Sequence, residues 1–301
     1  MIPVHVSVMP DEVMKYLVPR KANALIVDGT LGEGGHSLRF LEAYPECRVT
    51  GIDADEVMGQ RALSRLSRWQ DRFELITGWT DEVLSSWSGE SPDLILMDLG
   101  ISTYHYEGSG RGFSFRAKES LDMRLDGTEG DDAAYLVNTL EEKELADLIF
   151  TFGEERFSRR IARRIVEERS REPIRDSSVL AGIVARAVPS KSRHGRLHVA
   201  TKTFQALRIA VNGELDRLGR LLEIAPGLLA PGGRLGIISF HSLEDRLVKR
   251  AFRSLDIRFG GEFDVLTRKP LVPSDKEARE NPPSRSAKFR VIEKPVSGAA
   301  G

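Results

Sequence analysis

Apolar and polar positions divide the first third of the chain into short alternating runs. Residues 24–28 (ALIVD) are continuously apolar up to a closing acid. GTLGEGG follows at 29–35, then HSLRFLEA at 36–43, where Leu38 and Leu41 stand three apart. That pattern predicts strand, glycine loop and helix. Residues 48–53 (RVTGID) predict a second strand ending in an acid, and 55–66 its helix. Residues 73–78 (FELITG) predict a third strand and 93–98 (DLILMD) a fourth, again closed by an acid. Strands alternating with helices argue for a parallel sheet covered by helices on both faces.

The alternation then stops. Residues 109–130 form a loop dense in Gly, Arg, Ser and Asp, and from 131 to about 223 the spacing is helical. Leu145, Leu148, Ile149 and Phe152 make one amphipathic stripe; Ile161, Ile165 and Val166 make another. Pro173 and Pro189 divide this stretch into separate helices. A strand returns at 234–240 (RLGIISF), a helix follows at 243–255, and two last strands are expected at 263–267 and 288–293 with a polar loop between them. The expected organisation is an α/β domain (1–108 and 215–301) interrupted by a helical insertion (109–214), a domain-sized piece.

At 301 residues, 41% hydrophobic and 30% charged, the chain can bury a core, which excludes wholesale disorder. A net charge of -1 excludes a general polycation. The charge is nonetheless segregated: residues 156–202 hold 13 Lys or Arg against 4 Asp or Glu. Arg159, Arg160, Arg163 and Arg164 share one edge of a predicted helix, and Lys191, Arg193, His194, Arg196 and His198 follow in a loop. Such an edge is either a solvated face paired with Glu154, Glu155, Glu167 and Glu168, or a track for nucleic-acid phosphates. The lone Cys47 excludes an intrachain disulfide and a C-x-x-C metal site, and suits a small buried hydrophobe. No signal-peptide pattern and no run of about 18 apolar residues is present, so a soluble, cytoplasmic protein is expected.

The glycine loop between the first strand and its helix lets a ligand approach the backbone. Asp53, 21 residues after Gly32, ends the second strand where an acid can accept ribose hydroxyls. Dehydrogenases and S-adenosylmethionine enzymes both use this plan. The dehydrogenase fingerprint G-x-G-x-x-G fits Gly32 and Gly34 but meets Ser37 at its third position. Asp28, closing the first strand, stands where methyltransferases place an acid near the amino-acid end of the cofactor. Asp98 opens D-L-G-I-S at the carboxyl end of the fourth strand, the edge where open α/β sheets bind ligands. There it either accepts a proton from a target amine or caps the turn.

Seven segments occur in order: DGTLGEGGHS (28–37), DLGIS (98–102), RGFSF (111–115), LDMR (121–124), TFQALRIAVNGEL (203–215), SFHSLEDRLVK (239–249) and SRSAKFRV (284–291). Together they closely resemble the ribosomal RNA small subunit methyltransferase H family, also called MraW, over essentially the whole chain. The resemblance implies a Rossmann-like class I methyltransferase sheet with an inserted all-helical domain. It also implies S-adenosylmethionine-dependent N4-methylation of a cytidine in the decoding region of small-subunit ribosomal RNA. By that resemblance Gly34, Gly35 and His36 lie against the cofactor, Asp53 holds its ribose, and Asp98 lies near its transferring end. Trp79 takes a position usually held by Phe, beside the adenine, and His105 takes one usually held by Gln. Thr103 and Tyr104 replace the usual Ser-Pro, and Pro283 replaces an Arg.

Arg111, Phe113, Phe115 and Arg124 interleave charge with aromatics in the glycine-rich loop, as suits a wall that stacks on a base and grips phosphate; otherwise the Phe residues pack inward. Arg160 and Arg164, four residues apart on the basic edge, share a face that can reach neighbouring phosphates. His241, at the carboxyl end of its strand, is a substrate-positioning or structural residue, and Ser242 with Asp245 is spaced like a capping box. No metal cluster is expected. The partners expected are small-subunit ribosomal RNA or the small ribosomal subunit, with no membrane, and a homodimer stays open. The competing function is a non-catalytic RNA-binding ribosome assembly factor that retains the fold.

Overall fold

The computed structural model describes residues 6–127, 130–193 and 198–296. Seven strands, β1 (Leu25–Asp28), β2 (Arg48–Asp53), β3 (Phe73–Thr77), β4 (Leu94–Asp98), β5 (Arg234–Ser239), β6 (Asp264–Val265) and β7 (Lys288–Glu293), form one sheet in the order β3-β2-β1-β4-β5-β7-β6. The first five are mutually parallel, and β7 runs antiparallel to β5 and β6. This is the expected Rossmann-like methyltransferase sheet. The apolar runs are continuous because both faces are covered. Ile26, Leu94, Leu96, Ile238 and Val291 point into one core with Phe40, Leu41 and Ala62 of the flanking helices. Their neighbours Val27, Ile95, Met97, Ile237 and Ile292 point into the other, with Leu218, Leu222, Val248 and Phe252. One-residue alternation across two cores fixes the strand register.

The chain forms two compact units: one is Ser102–Glu214, and the other joins Pro3–Ile101 with Leu215–Gly301. The first begins at Ser102, earlier than the sequence-derived boundary at 109. Ser102 caps helix Thr103–Glu107 by accepting from Tyr104 N–H, and the ring of His105 on that helix packs on Phe113 at 5.2 Å. Helices Ala133–Thr139, Glu142–Gly153, Ser158–Arg169, Ser177–Ala187 and Thr201–Asn212 build this unit. They bury Leu145, Ile149, Ile161, Ile165, Leu180, Val184 and Leu207, the stripe positions among them.

Short helices at Pro10–Tyr16, Thr80–Ser85 and Asp275–Glu280 carry too few apolar turns to announce themselves in sequence. The expected capping box at Ser242 and Asp245 is corrected. Helix Ser242–Leu255 starts one residue earlier than that box requires, and its N-cap is His241. Glu244 closes the box by accepting from the backbone N–H of Phe240 (2.7 Å) and His241 (3.1 Å). Asp245 instead accepts from Lys288 Nζ at 2.9 Å and Arg290 Nε at 2.8 Å on β7. No described helix is long and apolar enough to cross a membrane.

Candidate functional site

The carboxyl ends of β1, β2 and β4 bring Asp28, Asp53 and Asp98 to one edge of the sheet, where backbone N–H groups and side chains gather around them. The glycine loop reverses direction through left-handed Gly32 (φ 53°) and Gly34 (φ 73°), and Gly34 is the N-cap of helix Gly35–Ala43. A side chain at either φ would be strained. The turn aims Gly32 N–H at Asp53 Oδ2 (2.7 Å), while Asp55 N–H reaches Oδ1 (2.8 Å). Burial pushes the Asp53 carboxyl up to about 6, against those two donors.

Asp28 is fully buried and accepts from Ser37 Oγ at 2.7 Å. The serine that breaks the dehydrogenase fingerprint thus orients an acid. Burial raises the Asp28 pKa, nearby His36 opposes the shift, and the Asp98 charge adds to it. Its other oxygen, Oδ1, has no hydrogen-bond partner among the described residues, nor do Nδ1 and Nε2 of the buried His36. Asp98 is anchored at two points: its N–H donates to Thr30 Oγ1 at 2.6 Å, and its Oδ1 accepts from Gly100 N–H at 3.0 Å. Asp98 Oδ2 faces His36 Nε2 at 3.5 Å. A buried polar atom without a partner costs about 1–3 kcal/mol. A cluster of them at a sheet edge is therefore built for a ligand that supplies the missing partners. Two carboxylates around one imidazole favour a cation.

Trp79 closes the same unit's edge after β3, capping helix Thr80–Ser85. Arg217 lies over its ring at 3.9 Å and is held by Asp81 (2.8 Å) and Glu82 (2.8 Å). Sequence reading missed Thr30, Gly100 and Arg217; the turn after β4 signalled Gly100, and nothing local signalled Arg217. Gly34, Gly35, His36, Asp53, Trp79, Asp98 and His241 fall in the sheet unit, whereas His105, Arg111, Phe113, Arg124, Arg160 and Arg164 fall in the helical unit. His241 Nδ1 accepts from Glu244 N–H at 3.4 Å, which gives it a capping role.

The helical unit spends much of its expected RNA-contacting chemistry on itself. Phe113 is only 5% exposed and packs on His105, so it belongs to the loop's own core and not to an open stacking wall. Arg111 donates to the carbonyls of Arg124 (3.0 Å) and Leu125 (2.8 Å), and Arg124 grips Asp122 with Nε at 2.8 Å and Nη2 at 2.9 Å. Phe115 stacks on His198 at 4.5 Å. On helix Ser158–Arg169, Arg164 pairs with Glu167 (3.0 Å) and Glu168 (2.7 Å). Arg159 and Arg160 are exposed and make no ion pair among the described residues. His194 and Arg196 lie outside the described residues.

The sequence profile of the MraW methylase family matches residues 3–295. A Treponema denticola protein named ribosomal RNA small subunit methyltransferase H is 51% identical over 309 residues, covering 98% of this chain and 98% of its own. Proteins of the same name from Nostoc punctiforme and Prochlorococcus marinus are 46% and 48% identical, covering 97% and 95% of this chain and 94% and 91% of their own.

Proposed function

Because the chain belongs to the MraW methylase family, we propose that it is the S-adenosylmethionine-dependent enzyme that methylates N4 of a cytidine in the decoding region of small-subunit ribosomal RNA. The observation that carries this reading is the buried group of Asp28, His36 and Asp98, with open polar atoms beside the glycine turn. The residues fit the cofactor. Asp28 Oδ1 suits its ammonium, Asp53 its ribose hydroxyls and Trp79 its adenine, while Gly34 and Gly35 let the backbone come close. When bound, the cofactor supplies a methyl group activated on a sulfonium.

Asp98 does the work at the amine. Its Oδ1 is fixed by Gly100 N–H, which leaves Oδ2 to accept the N4 proton as the nitrogen lone pair turns to the methyl carbon. His36 Nε2 stands 3.5 Å from that oxygen and lines the same edge. Holding amine and methyl in line is worth up to ~7–11 kcal/mol, and the proton acceptor ~10²–10⁴-fold. The target base leaves its stack to reach the edge, while Arg160 and its neighbours hold phosphates.

The test is methyl transfer from labelled S-adenosylmethionine to small-subunit ribosomal RNA, naked and assembled, followed by nucleoside digestion and mass detection. N4-methylcytidine at one decoding-region position is expected. A different methylated nucleoside would overturn the amine assignment, and no transfer to either substrate would leave an assembly factor.

A further inference from the structure

Helix Ser242–Leu255 carries Arg246, Lys249, Arg250 and Arg253 at i, i+3, i+4 and i+7, all exposed. At 100° per residue these four fall on one stripe. Opposite it, Val248 and Phe252 are buried in the core against the sheet. The helix's two acids are turned away from the stripe: Glu244 is buried in the N-terminal cap, and Asp245 is bound to Lys288 and Arg290. Lys249, Arg250 and Arg253 make no ion pair among the described residues. Lys249 and Arg253 stand four apart, with Cβ atoms about 5–6 Å apart, and Arg250 lies beside them, so these three cations repel one another and favour a polyanion.

The stripe ends on an aromatic. Phe259 is 60% exposed, with the guanidinium of Arg253 at 4.9 Å and that of Arg258 at 5.7 Å from its ring. Arg258 is fixed in turn by Asp256. Cations beside an exposed ring are the elements of a single-strand platform, in which a base stacks on the ring and phosphates follow the cations.

We propose that Lys249, Arg250 and Arg253, with Phe259 at the far end, form a track for single-stranded RNA on the sheet unit. The proposal rests on the functional reading above, since it assigns a second stretch of the same RNA substrate. The helix starts directly after β5, at the carboxyl edge of the sheet, and its 14 residues run about 21 Å away from that edge. The track therefore suits nucleotides flanking the target.

The probe is small-subunit ribosomal RNA transcribed in vitro, with binding measured at several salt concentrations. Replacing Lys249, Arg250 and Arg253 together by Ala should lower the salt slope by about 2 and weaken binding about 10–100-fold at moderate salt. Affinity for S-adenosylmethionine should not change. The milder pair Lys249→Gln with Arg250→Gln should lower the slope by about 1.4. Phe259→Leu should weaken binding by about tenfold without changing the slope, and Phe259→Trp should restore it. Unchanged slope and affinity in either cation variant, melting at the wild-type temperature, would overturn the track. Wild-type protein that neither binds nor methylates this RNA would instead sink the functional reading on which the track rests.

Discussion

Helices Ser158–Arg169 and Ser242–Leu255 are both strongly basic, yet they treat their acids in opposite ways. In the first, Arg164 is drawn onto Glu167 and Glu168, and Arg163 lies 3.6 Å from Glu142. In the second, the acids serve the cap and the sheet, and Lys249, Arg250 and Arg253 make no ion pair among the described residues. The same division separates the two units more widely. The helical unit bonds Arg111 and Arg124 within its own loop, while the edge of the sheet unit leaves Asp28 Oδ1 and the nitrogens of His36 open. Charge count does not identify a binding surface; whether the fold has already satisfied the charge does.

The largest expected effect tests the open side of that contrast. Asp98→Asn keeps the shape and an acceptor for Gly100 N–H but cannot take the amine proton. Turnover should fall ~10²–10⁴-fold, with S-adenosylmethionine affinity changed by less than about threefold, which is under 0.7 kcal/mol. Equal losses in both would make Asp98 a binding residue only.

Asp28→Asn comes next. Its affinity cost should be ~1.5–3 kcal/mol, the worth of a hydrogen bond between charged groups, read by calorimetry. Stability should move the other way. Burial raises the folded pKa of Asp28, so its favourable contribution is present at low pH and is lost as pH rises through that folded value. Asn keeps the neutral form at neutral pH, so the cofactor-free variant should melt at or above the wild-type temperature. A lower melting temperature with intact affinity would mean that Asp28 is structural.

Arg111→Ala probes the satisfied side. Two charge-assisted bonds to carbonyls are lost, and stability should fall by about 1–2 kcal/mol in denaturant unfolding, with cofactor affinity unchanged. An RNA-binding loss without destabilisation would return Arg111 to the substrate.

These outcomes bear on what the sequence could carry. β1, β4 and β5 were legible because apolar runs bounded by Gly, Asp and Pro have few alternatives, and β2, β3 and β7 as short mixed runs set between helices and turns. Asp28, Asp53 and Asp98 were legible as acids closing such runs. The partners that decide their chemistry were not. Ser37 looked like a broken fingerprint, and it orients Asp28. Arg217 reaches Trp79 from more than a hundred residues away. His241 in place of Ser242 as the cap turns on one residue of helix boundary, below the precision of any propensity. The stripe on helix Ser242–Leu255 was readable as i, i+3, i+4, i+7 spacing, but Glu244 and Asp245 nearby disguised it as an ordinary mixed surface.

Asp53 gives a smaller, pH-dependent effect. With its carboxyl pushed up to about 6, it is ionised at pH 7.5 and about three-quarters protonated at pH 5.5. Protonation removes an acceptor for ribose hydroxyls, so S-adenosylmethionine affinity should weaken by up to about fourfold across that interval. Asp53→Asn should flatten the profile, and a wild-type profile without a step near 6 would remove Asp53 from the ribose.

The smallest effect separates two arginines one turn apart on helix Ser158–Arg169. Arg160 is exposed and makes no ion pair among the described residues, whereas Arg164 already holds Glu167 and Glu168. Each Arg that neutralises one phosphate releases condensed counterions, so Arg160→Ala should lower the salt slope of RNA binding by ~0.7–0.9. Arg164 must first leave its glutamates, an exposed exchange worth ~0.2–1 kcal/mol, and it frees two carboxylates that repel the RNA. Arg164→Ala should therefore change the slope by less than half as much and cost a few tenths of a kcal/mol in stability. Arg164→Ala combined with Glu167→Gln and Glu168→Gln should raise RNA affinity above that of Arg164→Ala alone, because the freed acids are gone. Equal slope changes for Arg160 and Arg164 would show that ion pairing within a helix does not spend a cation, and the contrast between the two helices would fail with it.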